Sequence, residues 1–379
     1  MSRFLIVVPP FTGHINPIAG VAAELRGRGH EVTWVGDETV LSRTVPGNWP
    51  VHGCGAAPLA PRPPELRGFA ALHHLWEKVL VPLAEWMEPT VRRAISRVRP
   101  DVVITDQQAL AGALVAERAG IPWATSASTS SELVDSLGDM PKVRDWLTSL
   151  LTALRHRIGD PAAQGDPRFS PRLVIAFTTA TLAGEPGRPV LFVGPVGRPP
   201  VGNGGFPLDR IDPMRATILV TMGTANTDVT GNFLRECAAA LRARPWAQGV
   251  FADPGDSLLE VAGDFLRVPW LPQQALLPHA SAVICHAGHN TVCESLACGV
   301  PLVLAPIRDD QPIIAEQVAA VGAGIRLRFA HARAEHIGRA ADQVLTEPSF
   351  AAAAGRVRDS FDTAGGAPAA ADALEKLAG

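Results

Sequence analysis

Residues 281–311 read SAVICHAGHNTVCESLACGVPLVLAPIRDDQ, and this stretch decides the fold class. Short apolar runs alternate in it with longer segments of helical periodicity. In chain order it predicts a strand, a helix, a strand and a helix, at residues 282–285, 290–298, 301–305 and 311–321. Strands that are apolar on both faces and alternate with helices indicate a parallel sheet covered by helices on both sides. The stretch therefore predicts an α/β fold.

The same alternation extends outward along the chain. Toward the N-terminus it predicts strands and helices in turn, at residues 4–8, 17–28, 30–35, 101–105 and 109–119. Before the quoted stretch it predicts a strand, a helix and a strand, at residues 217–221, 229–243 and 249–252. Two more helices are expected after residue 321. Most of the chain is thus a succession of strand–helix units.

Residues 184–207 interrupt the alternation, because thirteen of these 24 residues are Gly or Pro. We place a linker at 196–216 and predict an N-terminal domain over 1–195 and a C-terminal domain over 217–358. Residues 359–379 are expected to form a helix that packs back toward the N-terminal domain. Two doubly wound domains facing each other across a cleft are expected, since ligands of such sheets bind at the carboxyl ends of the strands.

The composition excludes several classes of protein. The 379 residues carry a formal net charge of −3 and no basic stripe, so nucleic acid is not an expected partner. No apolar run approaches the roughly 18–20 residues that span a bilayer, so no stable membrane insertion is expected. The five cysteines fit neither a disulfide framework nor a metal knuckle. Reduced thiols and a cytoplasmic location are therefore expected.

Common nucleotide and metal motifs are missing from the sequence. No GxGxxG follows the first predicted strand, and no GxxxxGK[ST] occurs. There is no DxD carboxylate pair and no HExxH or other dense cluster of metal ligands. Neither a bound cofactor nor a metal ion is expected, so dehydrogenase, ATPase and metallohydrolase activities are disfavoured.

The turn at residues 286–289 has the chemistry of a phosphate site. It joins a strand to a helix N-terminus, where unpaired N–H groups and the positive end of the helix dipole favour an anion. Gly288 would let the backbone approach a ligand, and His286 would add a donor. A second small-residue turn, 221–224, ends another strand of the same domain, and its Thr224 could supply a hydroxyl group.

A set of short motifs surrounds this turn: Trp270-x-Pro-Gln, His286-x-Gly-x-Asn-Thr-x-x-Glu, Gly-Val-Pro and a closing Asp310-Gln311. Farther away lie Gly-His-Ile-Asn-Pro at 13–17 and Pro-Asp-x-x-x-x-Asp at 100–106. Their order and spacing resemble those of the inverting GT-B glycosyltransferases of the UDP-glycosyltransferase superfamily. The similarity is closest to the bacterial branch that glycosylates natural products such as macrolides and other antibiotics. It spans nearly the whole chain and implies two Rossmann-like doubly wound domains.

The resemblance implies a donor site in the C-terminal domain for a nucleotide diphosphate sugar as co-substrate. The implied contacts are, for the base, Trp270 and the Leu271 backbone; for the ribose, Gln273 and Glu294; for the diphosphate, Thr224, His286, Gly288, Asn290 and Thr291; and for the sugar, His289, Asp310 and Gln311. His289 stands where many family members have an aromatic residue or glycine. Taken singly, Trp270 could be a core residue, Glu294 a solvated residue and Asn290 a helix cap. Asp309 is predicted to be a surface charge.

The N-terminal site centres on His14, which follows the first predicted strand and precedes Pro17 at a helix start. An imidazole is suited to taking a hydroxyl proton near neutral pH, and a carboxylate can orient its other ring nitrogen. Asp106 ends its own strand and can reach the same edge of the sheet. The resemblance implies that His14 is the general base and that Asp106 orients it. Helix capping is the alternative role for each side chain.

The acceptor pocket is expected in the least regular N-terminal segments. A stripe at three- to four-residue spacing runs through Phe69, Leu72, Trp76, Val79, Leu83 and Trp86. Such a stripe is more often core, but in this fold Trp76 and Trp86 would also border the acceptor. The polar segment 126–139 could line the same cavity, and its Asp135 is an alternative base for attack by an aromatic carbon, which would make a C-glycosyltransferase.

The leading hypothesis is transfer of a hexose from a UDP- or TDP-sugar to a hydroxyl of a hydrophobic natural product, with inversion and without a metal ion. The partners would be the nucleotide-sugar donor and a hydrophobic small-molecule acceptor, and the chain would be a monomer or a homodimer. A nucleotide-sugar epimerase on the same fold and a catalytically silent donor-binding protein are the alternatives. Turnover of the donor without an acceptor would distinguish these functions.

Overall fold

The chain divides into two compact units. Unit 1 comprises Met1–Gly202 together with Ala364–Gly379, and unit 2 comprises Asn203–Thr363. The computed structural model describes residues 1–59, 62–63, 66, 68–134, 138, 140–197, 206–223, 229–259, 261, 263 and 265–379. Each unit contains one parallel sheet with helices, so the predicted α/β fold is confirmed.

The described residues form thirteen strands in two sheets. The strands of unit 1 are β1 (Arg3–Val7), β2 (Glu31–Gly36), β3 (Val51–Gly53), β4 (Val102–Asp106), β5 (Trp123–Ala127), β6 (Val174–Ala176) and β7 (Leu191–Phe192). The strands of unit 2 are β8 (Ala216–Thr221), β9 (Ala247–Ala252), β10 (Phe265–Val268), β11 (Ala282–Cys285), β12 (Leu302–Leu304) and β13 (Gly324–Arg326). Neighbouring strands pair in parallel throughout both sheets.

The described part of the chain also contains fourteen α-helices, the last three of which follow the final strand. They are α1 (Thr12–Gly27), α2 (Glu38–Thr44), α3 (Gly68–His74), α4 (Val81–Val98), α5 (Leu110–Ala119), α6 (Pro141–Ile158), α7 (Ala180–Ala183), α8 (Gly231–Arg242), α9 (Gln273–Leu276), α10 (His289–Ala297), α11 (Gln311–Ala320), α12 (Ala334–Thr346), α13 (Pro348–Asp362) and α14 (Gly366–Ala378). A π-helical segment, Leu75–Leu80, joins α3 to α4. Single 3₁₀ turns lie at Ser130–Glu132, Leu208–Arg210, Leu277–His279 and Phe329–His331. Among these described helices, none is long and apolar enough to cross a membrane.

The strand order reverses near the middle of each sheet. Unit 1 has the order β3-β2-β1-β4-β5-β6-β7, and unit 2 has the order β10-β9-β8-β11-β12-β13. The reversal therefore lies between β1 and β4 in unit 1 and between β8 and β11 in unit 2. In doubly wound sheets, ligands bind outside the carboxyl ends of the strands at such a switch point. Each unit thus has one position at which a ligand site is expected.

The side chains of β1 alternate between two hydrophobic cores, one on each face of the sheet. Leu5 and Val7 pack with α4, α5 and α6, whereas Phe4 and Ile6 pack with α1, α2 and α14. Successive side chains of a strand point to opposite faces, so a strand covered on both sides is apolar at every position. This explains the unbroken apolar run at the start of the chain.

The structure corrects the start of one predicted helix and adds elements that the sequence does not predict. Helix α1 begins at Thr12 rather than at residue 17, because the N–H groups of His14 and Ile15 already donate to the Phe11 carbonyl oxygen, at 2.9 and 3.3 Å. His14 therefore lies in the first turn of the helix, and Pro17 lies inside it. Three helices rather than two follow α11. The edge strands β3 and β13 are three residues long, which is too short for a periodic pattern to predict.

Helix α14 packs on unit 1 although it follows unit 2 in the chain. Ala370, Ala371 and Leu374 are fully buried in the core that α14 shares with α1. At the rim of this contact, Arg28 Nη1 at the end of α1 lies 2.6 Å from Asp372 Oδ1. The core of unit 1 therefore includes side chains from both ends of the sequence.

Leu374→Ala is expected to destabilise unit 1 by about 2–4 kcal/mol, because it removes a fully buried side chain and leaves a cavity beside α1. The measurement is urea-dependent hydrogen exchange of the β1 and β2 amides, which reports on unit 1 alone. Lys376→Ala, at an exposed position of the same helix, is the control and should change the stability by less than about 0.5 kcal/mol. Equal exchange in the two variants would contradict a contribution of α14 to this core.

Candidate active site

His14 and Asp106 meet at the switch point of unit 1. His14 lies in the first turn of α1, which follows β1, and Asp106 is the last residue of the adjacent strand β4. His14 Nδ1 is 2.9 Å from Asp106 Oδ1. The Asp106 side chain is fully buried, whereas 19% of the His14 side chain is exposed. The structure thus brings together the two side chains that the sequence predicts to act as a pair.

The turn after β4 holds the Asp106 carboxylate in place. The Gln108 N–H donates to Asp106 Oδ1 at 2.9 Å, and the Ala109 N–H donates to the Asp106 carbonyl oxygen at 2.9 Å. This is an Asx turn, in which a side-chain oxygen replaces a backbone acceptor two residues away. Asp106 therefore closes this turn and also contacts His14. It does not cap α5, because the N-cap position of that helix is Ala109 and no side chain caps it. His14 does not cap α1, because the N-cap position is Phe11 and no side chain caps it.

Ser128 completes this group of side chains. It follows β5, is 3% exposed, and places its Oγ 2.6 Å from Asp106 Oδ2 and 2.7 Å from His14 Nδ1. The sequence predicts only that the polar segment around it lines a cavity. A hydroxyl that follows a buried strand is a weak signal, and nothing in the sequence shows which serine of that segment reaches His14.

The aromatic stripe of the N-terminal half is mostly core. Trp76 is 2% exposed and packs in the core of unit 1, with the Arg168 guanidinium 5.6 Å from its ring centroid. Trp76 is therefore not retained as an acceptor contact. Trp86 is half-buried against the same core, and Phe69 is exposed. Asp135, the alternative base, lies outside the described residues.

At the switch point of unit 2, a histidine ring lies between two glycines. His286 follows β11, and Gly223 lies in the turn after β8. A Cβ atom on Gly223 would lie 2.7 Å from His286 Nε2, and one on Gly288 would lie 2.5 Å from the same atom. Real Cβ atoms do not approach other atoms this closely, so a side chain at either position would displace the imidazole. The two glycines therefore define where the His286 ring can lie.

His286 is neutral in the folded chain at neutral pH. Burial of the ring lowers the pKa of His286 to about 4, against an opposing effect of the Thr221 backbone. Because its ordinary pKa is 6.5, the unfolded chain binds this proton first as the pH falls. The contribution of His286 to the free energy of unfolding is therefore complete above pH 6.5 and is lost as the pH falls toward 4. An anion at this site meets a neutral ring rather than a fixed positive charge.

Helix α10 begins at His289, and its first turn contains no acidic side chain. The first N–H groups of a helix have no partners within it and attract anions. Ala287, just before the helix, has a φ of 66°, whereas Gly288 has a φ of −65°. The strained backbone of this turn is therefore at Ala287, and Gly288 is needed for space. The His289 ring is buried with Nε2 3.6 Å from Cys293 Sγ, one turn along the helix.

The residues predicted to contact the base and the ribose differ in exposure. Trp270 is 50% exposed, Leu271 is buried, and Glu294 is half-buried on α10. Gln273 Oε1 is buried without a hydrogen-bond partner among the described residues. An unsatisfied buried oxygen is costly, so a ligand hydroxyl that donates to it would remove that cost. Thr224 lies outside the residues that the structure describes.

Gln311, one of the residues predicted to contact the sugar, uses its side-chain oxygen to hold a loop of its own unit. Gln311 Oε1 accepts hydrogen bonds from the N–H groups of Ile307 and Arg308, at 2.9 and 3.2 Å. These bonds hold the loop between β12 and α11. Only the amide nitrogen of Gln311 remains to contact a sugar, beside the half-buried Asp310 at the N-cap of α11. Asp309 is exposed, as predicted.

Comparison with known proteins gives matches along the whole chain. Residues 214–358, in unit 2, match the family model described as UDP-glucoronosyl and UDP-glucosyl transferase. The 4'-demethylrebeccamycin synthase of Lentzea aerocolonigenes is 28% identical over 99% of both chains. The elloramycin glycosyltransferase ElmGT of Streptomyces olivaceus is 30% identical over 99% of this chain and 96% of its own.

A solved structure shares the fold of both units. Spinosyn rhamnosyltransferase SpnG, in complex with thymidine diphosphate, matches with a TM-score of 0.80 over 98% of this chain and 100% of its own, at 24% identity. This match shows that the chain has the GT-B fold. Together with the relatives matched over nearly their full length, it confirms the resemblance drawn from the motifs. The chain belongs to the UDP-glycosyltransferase family.

Proposed function

We propose that the chain transfers a hexose from a UDP- or TDP-sugar to a hydroxyl group of a hydrophobic natural product, with inversion at the anomeric carbon. The observation that carries this proposal is the 2.9 Å contact between His14 Nδ1 and the buried Asp106, at the switch point of unit 1. A partly exposed imidazole with a buried carboxylate behind it is the arrangement of a general base. A protein that only binds a nucleotide sugar has no need of it.

In this mechanism His14 takes the proton of the acceptor hydroxyl. With Asp106 as a carboxylate, Nδ1 donates to it, and Nε2 has the lone pair that accepts the proton. As the proton moves to Nε2, the acceptor oxygen forms a bond to the anomeric carbon. The bond from that carbon to the diphosphate oxygen breaks, and its electron pair leaves with the diphosphate. Attack from the side opposite the leaving group inverts the anomeric configuration.

Unit 2 would bind the diphosphate of the donor at the start of α10. The N–H groups of the first turn, which includes Asn290 and Thr291, would stabilise the charge that develops on the leaving diphosphate. Since His286 is neutral, we assign it a hydrogen-bonding role at this site. No group of three or more His, Cys, Asp or Glu side chains that could hold a metal ion occurs in the described part of the chain. We propose that helix α10 takes the place of a metal.

The remaining donor contacts are proposed from exposure and unsatisfied polar atoms. Trp270 would stack on the base, and the buried Gln273 Oε1 would accept a hydrogen bond from a ribose hydroxyl. Asp310 and the Gln311 amide nitrogen would bind sugar hydroxyls. Either uracil or thymine suits a stacking platform, and the thymidine diphosphate bound to SpnG supports TDP-sugars as donors.

The relatives support a natural product as the acceptor. One is named 4'-demethylrebeccamycin synthase and another elloramycin glycosyltransferase, and both match nearly the whole chain. Acceptor groups would be bound by unit 1, near His14 and the half-buried Trp86. No disulfide joins the five cysteines, all of which lie in the described part of the chain, and this fits synthesis of such compounds in the cytoplasm.

The test of this function uses UDP- and TDP-hexoses with a library of hydrophobic aglycones, and identifies products by mass and by the NMR coupling of the anomeric proton. We expect a glycoside whose anomeric configuration is opposite to that of the donor. The rate should not change in excess EDTA, because helix N–H groups stabilise the diphosphate. Retention of configuration, or a rate that only Mg²⁺ or Mn²⁺ restores, would contradict the mechanism. Donor conversion without an acceptor would indicate an epimerase.

A further inference from the structure

We propose that Ser128 is a positioning residue of this transferase, the third member of a group with His14 and Asp106. The proposal rests on the proposed function, in which His14 is the base. Ser128 Oγ contacts both partners, at 2.6 Å from Asp106 Oδ2 and 2.7 Å from His14 Nδ1. His14 lies in α1, Asp106 ends β4 and Ser128 directly follows β5, so their meeting is a tertiary contact and not a local turn.

The position of each proton among His14, Asp106 and Ser128 follows from which of their atoms can donate a hydrogen bond. As a carboxylate, Asp106 accepts from the Gln108 N–H and His14 Nδ1–H at Oδ1 and from the Ser128 hydroxyl at Oδ2. Ser128 has a single hydroxyl proton, which goes to Asp106, so its oxygen faces His14 as an acceptor. The Nδ1 proton of His14 is therefore shared by two oxygens, at 2.7 and 2.9 Å.

This arrangement restrains the imidazole more than a single carboxylate would. One oxygen acceptor leaves the ring able to swing about the hydrogen bond, whereas two acceptors, one at the end of β4 and one just after β5, hold the plane of the ring. Ser128 also restrains Asp106, because it bonds the carboxylate oxygen that the turn after β4 leaves unbonded. The serine hydroxyl thereby fixes both the orientation of His14 and its tautomer, with the proton on Nδ1.

The serine keeps its own proton throughout the transfer. The acceptor proton goes to Nε2, the Nδ1 proton stays between Ser128 and Asp106, and the positive charge of the ring faces the carboxylate. Ser128 therefore acts only through His14 and does not touch the reacting atoms. Its loss should change how often the base is correctly placed, which affects kcat, and should not change the binding of either substrate.

Ser126 provides a matched control two residues earlier, on β5. It lies within β5 and is 1% exposed, so the structure removes it from the segment 126–139 predicted to line the acceptor cavity. Its hydroxyl has no hydrogen-bond partner among the described residues. Ser126→Ala therefore removes a buried serine hydroxyl without removing a hydrogen bond. Any loss that Ser128→Ala shows and Ser126→Ala does not is due to the contacts with His14 and Asp106.

The kinetic test compares these variants with and without the base. Ser128→Ala is expected to lower kcat about 10-fold, with the KM of donor and acceptor within about two-fold of the wild type. Ser126→Ala should retain wild-type kcat. In the His14→Ala background, Ser128→Ala should cause no further loss, because no base remains to be positioned. Equal losses in the two backgrounds would show a general structural role and overturn the proposal.

An NMR experiment tests the contact between Ser128 and His14 without measuring turnover. In chain labelled with ¹⁵N-histidine, the Nδ1–H signal of His14 is identified by its absence in His14→Ala. We expect it to exchange slowly with water in the wild type and in Ser128→Thr, which keeps the hydroxyl, and faster in Ser128→Ala. Unchanged exchange in Ser128→Ala would overturn the proposal. If His14→Ala retained full turnover, the proposed base would be wrong, and this exchange measurement would still decide whether Ser128 holds the ring.

Discussion

Replacement of His14 by alanine is expected to lower kcat by about 10²- to 10⁴-fold, the range typical for loss of a general base. The dissociation constant of the donor should stay within about two-fold of the wild type, because the residues proposed to bind the donor all belong to unit 2. Steady-state kinetics at saturating donor gives kcat, and calorimetric titration of the nucleotide gives the affinity. Asp106→Asn should show a smaller loss of the same kind, since the imidazole remains but its buried carboxylate partner is lost.

His156→Ala is the matched control for this experiment. His156 is an exposed histidine on α6, and it takes no part in the group around His14. Its replacement should leave kcat within about two-fold of the wild type. Near-normal turnover by His14→Ala would refute the role of His14 and leave the family membership of the chain untouched.

Gly288→Ala is expected to raise the KM of the donor by roughly 10- to 100-fold, the range that corresponds to the loss of about 1.5–3 kcal/mol from a hydrogen bond to a charged group. The backbone at Gly288, with φ −65° and ψ 135°, allows alanine without strain. The cause would be the added methyl group, which would lie 2.5 Å from His286 Nε2 and displace the ring at the proposed diphosphate site. Donor titrations at fixed acceptor measure the effect.

Gly355→Ala makes the same chemical change in α13 of unit 2, where a Cβ atom would meet nothing within 4 Å. Alanine in a helix interior is favoured over glycine by about 0.5–1 kcal/mol, so this variant should be as stable as the wild type or more so. Its donor KM should not change. A normal donor KM in Gly288→Ala would show that the position of His286 does not affect donor binding.

The pairing of His14 with Asp106 could be anticipated from the sequence for a physical reason. Both residues follow strands that are apolar on both faces, and such strands belong to parallel sheets, whose carboxyl ends lie at one edge. The sequence does not show that β1 and β4 are neighbours, because strand order depends on how the helices between them pack. The predicted start of α1 was wrong by five residues. The tendency of Pro17 to keep the residues before it out of a helix is outweighed by the hydrogen bonds to the Phe11 carbonyl oxygen.

The side chains that complete each site could not be predicted in the same way. Ser128 reaches His14 from β5, which is separated from β1 by β4, so the contact depends on the twist and spacing of three strands. The bonds of Gln311 to its own loop and the burial of Trp76 depend likewise on packing rather than on spacing along the chain. Motifs indicate which residue types are present at a site, whereas the partners of each atom follow from tertiary structure.

Because Ala364–Gly379 belongs to unit 1, the first unit to leave the ribosome is the last to be completed. Unit 2 can fold as soon as its own residues have emerged. The face of the unit 1 sheet that α14 covers stays uncovered until Ala364–Gly379 has been synthesised. The same arrangement sets a rule for chimeric enzymes in which unit 2 is exchanged. A graft that replaces unit 2 must have two junctions, near residues 202 and 363, so that α14 remains with the sheet on which it packs.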